Sequence, residues 1–124
     1  MSDRELVRVS LHEVAHARAG DKGNRANVSV IAYLPEVYPV LLEQITTSRV
    51  HDLFVHRGAT ATCRYELPNL WALNFVIDDA LEGGVNGSLN LDGHGKTTSF
   101  LVLTLAVDIS DDLLRKCRVA RLTC

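Results

Sequence analysis

Residues 59–67, ATATCRYEL, show the clearest periodicity in the chain and decide its class of fold. Apolar or small side chains alternate with polar ones, which is typical of a β-strand with one buried face. The face predicted to be buried consists of Ala61, Cys63, Tyr65 and Leu67. The face predicted to be polar consists of Thr60, Thr62, Arg64 and Glu66. On this prediction Cys63 is a core thiol and a poor nucleophile.

Three more segments have the composition of strands. Residues 5–11 (ELVRVSL) alternate apolar and polar side chains, and residues 28–34 (VSVIAYL) are mostly apolar and rich in β-branched side chains. Residues 99–109 (SFLVLTLAVDI) place an aliphatic side chain at every second position, which predicts the last core strand.

Two segments favour helices. Pro35 suits the first turn of a helix, and apolar residues keep helical spacing to Ile45, with a short second piece expected around residues 50–54. After Pro68, Asn69 is a suitable N-cap for a helix over residues 70–81, whose apolar positions recur every three and four residues. Ser110 is a suitable cap for a short terminal helix that starts at Asp111.

This order of elements predicts an α+β two-layer sandwich with a ferredoxin-like arrangement. We expect about four mainly antiparallel strands, with two helices on one face of the sheet. The 124 residues fit a single domain, with a core over about residues 5–109 and a tail or short helix over residues 110–124. Because a small protein often covers an open sheet face with another subunit, we also expect a homo-oligomer.

Composition and charge narrow the classes of partner. The chain is 47% hydrophobic, and its net charge of −2 comes with no basic stripe, so nucleic acid is not an expected partner. No apolar run approaches the length of a membrane span, and the N-terminus lacks the apolar core of a signal peptide. The three cysteines form no C-x-x-C pair, which indicates reduced thiols in a cytoplasmic protein.

Residues 11–16, LHEVAH, contain the His-Glu-x-x-His spacing of zinc proteases. On a helix this spacing brings two histidines to one metal ion and a glutamate to its water. Here His12 continues a strand pattern, Gly20 and Gly23 follow soon after His16, and no third ligand has supporting spacing. We therefore expect no protease, no metal site and no cofactor.

Two glycine-rich segments are more informative. Residues 15–27, AHARAGDKGNRAN, are predicted to form a loop that could bind an anion through exposed N–H groups and basic side chains. The candidate residues of this loop are His16, Arg18, Asp21, Lys22, Asn24 and Asn27. Residues 93–96, GHGK, form a second predicted loop, and we expect Lys22 and Lys96 to meet at a positively polarised hollow. The alternative is that each loop is a polar turn that only caps itself.

Three motifs resemble the C-terminal ferredoxin-like domain of the acyclic terpene utilisation (AtuA) family. They are AHARAGDKGNRANVSVIAY at residues 15–33, YELPNLWALNFVIDDALEGG at residues 65–84 and SLNLDGHGK at residues 88–96. The resemblance covers nearly the whole chain, from residue 7 to residue 109. It implies further ligand-binding positions at Arg64, Asn69, Asn74, Ser88, Asp92 and Lys96. Ala19 and His94 depart from the family pattern, which has serine and glutamine there, so no role is assigned to a hydroxyl at position 19.

The resemblance also carries expectations of function. The family is linked to the breakdown of branched acids as CoA thioesters, and this chain resembles a free-standing form that pairs with a separately encoded large subunit. The first hypothesis is a non-catalytic accessory subunit that binds an acyl-CoA or a carboxylate. The alternative is a small hydratase, lyase or isomerase in which His16 is the general base and Glu66 or Asp21 the carboxylate. In that enzyme Lys22 and Arg64 hold the anion, and His16 must share a cleft with a carboxylate.

Overall fold

The computed structural model describes residues 6–22, 25–55, 58–79 and 94–123, with side chains at all of these except residues 21–22, 94–98 and 121–123. The strands are β1 (Leu6–Ser10), β2 (Ala15–Lys22), β3 (Arg25–Ala32), β4 (Ala61–Leu67), β5 (Ala72–Asp78) and β6 (Ala106–Ser110). The helices are α1 (Tyr38–Gln44), α2 (Thr47–Phe54), α3 (His94–Leu103) and α4 (Asp111–Thr123). Short 3-10 turns occupy Leu11–Glu13, Pro35–Val37 and Pro68–Leu70.

The main sheet has four strands in the order β2-β3-β5-β4, and every neighbouring pair is antiparallel. The predicted α+β ferredoxin-like class is therefore confirmed. The first and last strands, β1 and β6, do not join this sheet. They pair with each other in a separate antiparallel ribbon. The expected single sheet is thus two sheets, which share one hydrophobic core.

One face of the main sheet forms that core. Val28 and Val30 of β3 and Leu73, Phe75 and Ile77 of β5 are fully buried on this face. Helix α3 packs over β2 and β3, and α2 packs over β4 and β5. The other face, which we call the open face, carries the alternate side chains of the same strands.

The glycine-rich segment was wrongly predicted to be a loop. Residues 15–22 and 25–32 form the antiparallel pair β2–β3, whose register runs from Ala15 opposite Ala32 to Lys22 opposite Arg25. The alanines at positions 15, 17 and 19 lie on the face that α3 covers. Small side chains at these positions let the helix approach the strand closely. The glycines and polar residues between them had suggested a turn by composition alone.

The helix predicted over residues 70–81 is also wrong. Residues 68–70 form a 3-10 turn and residues 72–78 form β5, which is hydrogen-bonded to β3 on one side and to β4 on the other. The same apolar residues satisfy both periods, since Leu73, Phe75 and Ile77 alternate as well as recur at helical spacing. A central strand whose ladder is paired on both sides stabilises the extended conformation over the helical one.

The long strand predicted over residues 99–109 is only partly correct. Residues 94–103 are helical, and the strand begins at Ala106. A continuous apolar run fits a buried helix as well as a buried strand. The helix ends where Thr104 turns back, with its backbone N–H and its hydroxyl both donating to the carbonyl of Leu101.

The C-terminal residues form helix α4, and Ser110 caps it as expected. The Oγ atom of Ser110 accepts a hydrogen bond from the N–H of Leu113 at 3.2 Å. Acidic residues 111 and 112 occupy the first turn, where the helix dipole favours negative charge. Leu114 and Cys117 bury one side of the helix in the core.

Candidate functional site

Strand β4 faces the opposite way from the prediction. Cys63 and Tyr65 are exposed on the open face, whereas Thr62 and Arg64 are half-buried beneath the helices. The Nη1 atom of Arg64 donates to the carbonyls of Leu42 and Ile45, each at 3.0 Å. These carbonyls lie at the end of α1, where no helical partner is available to them. The arginine therefore satisfies a helix end, and its strand turns the apolar residues outward.

A row of polar side chains crosses the open face. The strand registers set Arg18 of β2 opposite Ser29 of β3, Ser29 opposite Asn74 of β5, and Asn74 opposite Tyr65 of β4. The Ser29 hydroxyl donates to Oδ1 of Asn74 at 2.9 Å. Arg18 and Tyr65 at the two ends of the row are exposed. This arrangement places hydrogen-bonding groups across the full width of the sheet.

A cleft opens at one end of this face, beside the residue pair His16 and Ile31. Its volume is about 630 Å³. Three aromatic or imidazole rings and four smaller side chains line it: His16, Tyr33, Trp71, Ile31, Ala32, Asn69 and Leu70. We call it the aromatic cleft. The lining is mostly apolar, and its side-chain polar groups are those of His16, Tyr33, Asn69 and Trp71.

The backbone builds this cleft at the place where β3 ends and β5 begins. The N–H of Ala32 donates to the carbonyl of Trp71 at 2.9 Å, and the N–H of Tyr33 donates to the carbonyl of Val14 at 3.0 Å. Trp71 lies in the left-handed region, with φ 54° and ψ 43°. For a residue with a side chain this conformation costs about 1–2 kcal/mol. The turn from Pro68 to Trp71 thus holds a bulky residue in a strained conformation at the cleft wall.

His16 has an unusual electrostatic environment for a partly exposed histidine. Partial burial in the cleft is the larger cause that lowers the pKa of its imidazole, and the positive charge of Arg18 is the second. Both causes disfavour the charged form. The neutral imidazole is therefore the favoured form of His16 at pH 7, in which one ring nitrogen can accept a hydrogen bond and the other can donate one.

The position of Glu66 separates it from His16. Glu66 lies on the side of β4 that faces the helices, where its Oε2 atom is 3.2 Å from Nη2 of Arg64. His16 lies on the open face of β2, and β2 and β4 are the two opposite edges of the sheet. The structure therefore does not bring His16 and Glu66 to a common cleft.

The comparisons with known proteins identify the family. The model of the AtuA ferredoxin-like domain matches residues 9–108 of the 124-residue chain, from within β1 to within β6. The chain belongs to the AtuA ferredoxin-like domain family. No curated protein and no solved structure matches it. Helix α4 lies beyond the end of the match.

In this AtuA ferredoxin-like domain several predicted ligand-binding residues share the open face or its cleft. Arg18, Asn27 and Asn74 lie on the open face, and Asn69 lines the cleft together with His16. Arg64 lies on the helical side, bonded to the end of α1. The position of Asn69 in a 3-10 turn, with no side-chain hydrogen bond to cap it, differs from the predicted N-cap role.

The side chains of Lys22 and Lys96, which define the predicted hollow, lie outside the described side chains. The backbone places Asp21 opposite Ala26 and Lys22 opposite Arg25, at the far end of the β2–β3 pair, and Lys96 in the first turn of α3. Helix α3 packs against β2, so the two elements that carry these lysines are neighbours. Asn24, Ser88 and Asp92 lie outside the described residues.

The His-Glu-x-x-His segment does not form the helix on which its zinc-protease spacing depends. His12 lies in the 3-10 turn Leu11–Glu13, whereas His16 lies in β2. Within the described side chains no group of three His, Cys, Asp or Glu residues is arranged to hold a metal ion. Nor does any helix of the described residues have the length and apolarity needed to cross a membrane.

The sequence did not reveal the walls of the cleft. Tyr33, Leu70 and Trp71 were assigned to a strand end and a helix, so they carried no predicted role. The sequence offers one indication of this wall, which is that Trp71 is the single tryptophan of the chain. A lone tryptophan beside a Pro-Asn pair is a candidate for a binding surface, since tryptophan is enriched where one side is apolar and the other is wet.

Proposed function

We propose that this AtuA ferredoxin-like domain is a non-catalytic binding subunit for a carboxylic acid or its CoA thioester, in the catabolism of branched acids. The aromatic cleft receives the apolar acyl group, and Arg18 binds the anionic part of the ligand. The observation that carries this proposal is the combination of a mostly apolar cleft with an exposed cation on the same face. The role in branched-acid catabolism comes from the family resemblance.

The cleft has suitable dimensions for an acyl group. Small-molecule sites commonly enclose about 300–1,000 Å³, mostly between apolar walls with a few polar groups. Its volume of about 630 Å³ falls within that range. Burying a five-carbon acyl group contributes on the order of 4 kcal/mol before the entropy of binding is subtracted. Because the Arg18 ion pair offsets part of that entropy, an affinity in the millimolar range is expected for a free short-chain acid.

The anionic end of the ligand has a partner nearby. Arg18 follows His16 by two residues on the same face of β2, and this spacing corresponds to about 7 Å along a strand. A guanidinium binds a carboxylate or phosphate with two parallel hydrogen bonds. Ser29 and Asn74, next along the polar row, offer hydroxyl and amide groups to the polar chain of a CoA thioester.

The intrinsic fluorescence of Trp71 provides a direct test, because no other tryptophan contributes. Titration with 3-methylbutanoate and with 3-methylbutanoyl-CoA is expected to change its emission with saturation. The Arg18→Gln variant is expected to weaken binding of both ligands about tenfold or more, which is the size of one lost charge-assisted hydrogen-bond pair. The proposal fails if neither probe changes the emission of the folded wild-type domain at millimolar concentration.

The accessory role includes an assembly. We propose that the open face joins copies of this chain, or joins the chain to a separately encoded large AtuA-like subunit, in the cytoplasm. Tyr65 and Leu67 support this proposal, because they expose 54% and 37% of their surface on an edge strand. Light scattering of the wild type and of Tyr65→Glu tests the homo-oligomer, and a wild-type monomer at high micromolar concentration contradicts it.

One observation favours catalysis as a second candidate function. The neutral imidazole of His16 is in the form that a general base requires, inside the cleft that would hold an acyl group. Neither predicted carboxylate shares the face of His16, because Glu66 is on the helical side and the strand register sets position 21 opposite the buried Ala26. In this second candidate function His16 therefore acts without either of them. Exchange of the α-hydrogens of 3-methylbutanoyl-CoA with deuterated water, measured by mass spectrometry, tests this role. His16→Asn should abolish such exchange, and its absence in the wild type excludes this role for that substrate.

A further inference from the structure

We infer that Trp71 is the specificity-determining residue of the aromatic cleft, and that it selects a planar, conjugated acyl group over the saturated counterpart. This inference rests on the proposed function, since it assumes that the cleft binds an acyl group. It adds the class of acyl group and the residue that recognises it.

The backbone at position 71 would accept glycine better than tryptophan. Two non-glycine residues in the described part of the chain have a positive φ: Trp71 at 54° and Asp79 at 67°. Aspartate enters this region more readily, because its short polar side chain bonds locally, whereas a bulky aromatic residue is an outlier there. Both backbone hydrogen bonds of residue 71, to Pro68 and Ala32, involve main-chain atoms that glycine also has. The turn therefore accounts for the left-handed conformation at position 71, but it does not require a tryptophan side chain there.

The side chain of Trp71 does not behave as a core residue. Trp71 leaves 39% of its surface exposed, whereas Phe54 and Phe75 in the core are fully buried. Its indole lines the cleft beside the 3-10 turn rather than filling the space between sheet and helices. A strained conformation that is retained for a half-exposed aromatic side chain indicates that the side chain serves the cleft.

The walls indicate the class of ligand. Trp71 shares the cleft with Tyr33 and His16, whose rings lie 5.2 Å apart with planes inclined at 36°. Flat π systems at such distances attract one another beyond the effect of buried area alone. An α,β-unsaturated acyl group is planar at its reactive end, so it can stack on the indole, whereas a saturated branched chain presents tetrahedral carbons. His16 and Asn69 supply side-chain groups in the cleft that can donate a hydrogen bond to the carbonyl of such a group.

Calorimetric titration with a matched pair of ligands tests this inference. The pair is 3-methylbut-2-enoyl-CoA and 3-methylbutanoyl-CoA, which share the carbon skeleton and differ by one double bond. Wild-type protein is expected to bind the unsaturated ester about fivefold more tightly, the size of one aromatic stacking contact. Trp71→Phe is expected to retain most of this preference, and Trp71→Gly to abolish it.

Thermal unfolding separates recognition from packing. Trp71→Gly relieves the backbone while it removes a half-exposed side chain, so its unfolding midpoint is expected to stay within about 4 °C of the wild type. Asp79→Gly is the matched control, because it makes the same backbone change outside the residues that line the cleft and should leave the ligand preference intact.

Four outcomes overturn the inference. If the wild type binds the two esters equally, the cleft does not select a conjugated acyl group. If Trp71→Gly keeps the preference, Trp71 does not determine it. The proposed function survives both outcomes. A fall of about 10 °C or more in Trp71→Gly, with the preference unchanged, assigns Trp71 to packing instead. If the wild type binds neither ester, the proposed function fails together with the inference.

Discussion

The imidazole of His16 and the phenol ring of Tyr33 lie 5.2 Å apart, centroid to centroid, at an angle of 36° between their planes. This contact joins an edge strand to the segment that follows its neighbour, and it forms one wall of the aromatic cleft. Part of the imidazole is thereby removed from water, which is the larger reason that the pKa of His16 is lowered. The same contact thus shapes the cleft and favours the uncharged form of His16 within it.

The titration of His16 tests this coupling. Nuclear magnetic resonance of the imidazole should give a pKa below the ordinary value of 6.5. Tyr33→Leu should raise the pKa by admitting water, and Arg18→Gln should raise it by removing a positive charge. The imidazole resonances of His51, which lies on the helical side bonded to Thr62, are an internal control for the fold of both variants. A His16 pKa at or above 6.5 in the wild type contradicts the assignment.

The same shift has a consequence for stability. Since the pKa of His16 is lower in the folded chain, the unfolded chain binds more protons between the folded value and about 6.5. The contribution of His16 to the free energy of unfolding therefore rises as the pH rises through this window and is constant above it. Urea unfolding at several pH values should show a flatter dependence in His16→Asn than in the wild type. If the free energy of unfolding varies equally with pH in the two proteins, His16 is not the source of the pH dependence.

Arg64 is expected to stabilise the fold without taking part in binding. Arg64→Met removes the donor that serves the carbonyls of Leu42 and Ile45, so the free energy of unfolding should fall by about 2–3 kcal/mol. Affinity for acyl ligands should stay unchanged, because the guanidinium lies on the helical side of the sheet. Arg25→Met is the matched control, since its ion pair with Asp78 is exposed and its loss should have little effect on stability. Loss of binding in a folded Arg64→Met would return this residue to the site.

Cys63 should react where Cys117 does not. The thiol of Cys63 is exposed on the open face, and that of Cys117, on the inner side of α4, is fully buried. Iodoacetamide at neutral pH should modify Cys63 in the native protein, whereas Cys117 should require urea, as followed by peptide mass spectrometry. Slower modification of Cys63 as the protein concentration rises would support assembly through the open face. Protection of Cys63 in a dilute monomer would contradict its placement.

Gln44 is expected to stabilise the ribbon of β1 and β6. Its side-chain amide donates to the carbonyl of Asp108 at 2.8 Å and accepts from the N–H of the same residue at 2.7 Å. Gln44→Leu leaves both backbone groups without this partner and should lower the free energy of unfolding by about 2 kcal/mol in urea titrations. Glu43→Leu, the neighbouring substitution on the same helix, is the control. Equal stability of the two variants would show that water replaces the amide.

Sequence patterns predicted the class of fold because the strand and helix periods depend on local alternation. They failed where a single pattern fitted two structures, as at Leu73, Phe75 and Ile77, and the choice then depended on long-range pairing with β3 and β4. The orientation of β4 failed for a different reason. Hydropathy favours Cys63 and Tyr65 in the core, but the carbonyls at the end of α1 require the guanidinium of Arg64, and this partner is distant in the chain.

The candidate site was predictable to the extent that its residues lie within one motif. His16 and Arg18 share the open face because they are two residues apart on a strand, although the segment was expected to be a loop. Asn69 joins them only through the antiparallel register, and no local pattern shows that register. The role of Trp71 was not predicted, because composition does not show that a tryptophan has a left-handed backbone conformation.

The outer side of β6 illustrates how the fold ends its smaller sheet. Gln44 fills the hydrogen-bonding positions of Asp108, and Arg49 donates to the carbonyl of Ala106 at 2.9 Å, so two side chains occupy the place of a third strand. An uncapped ribbon edge recruits strands from other molecules and grows into fibres. By occupying main-chain hydrogen-bonding positions, a glutamine and an arginine block this growth on the β6 side of the ribbon. Loss of either residue therefore exposes the protein to aggregation as well as to unfolding.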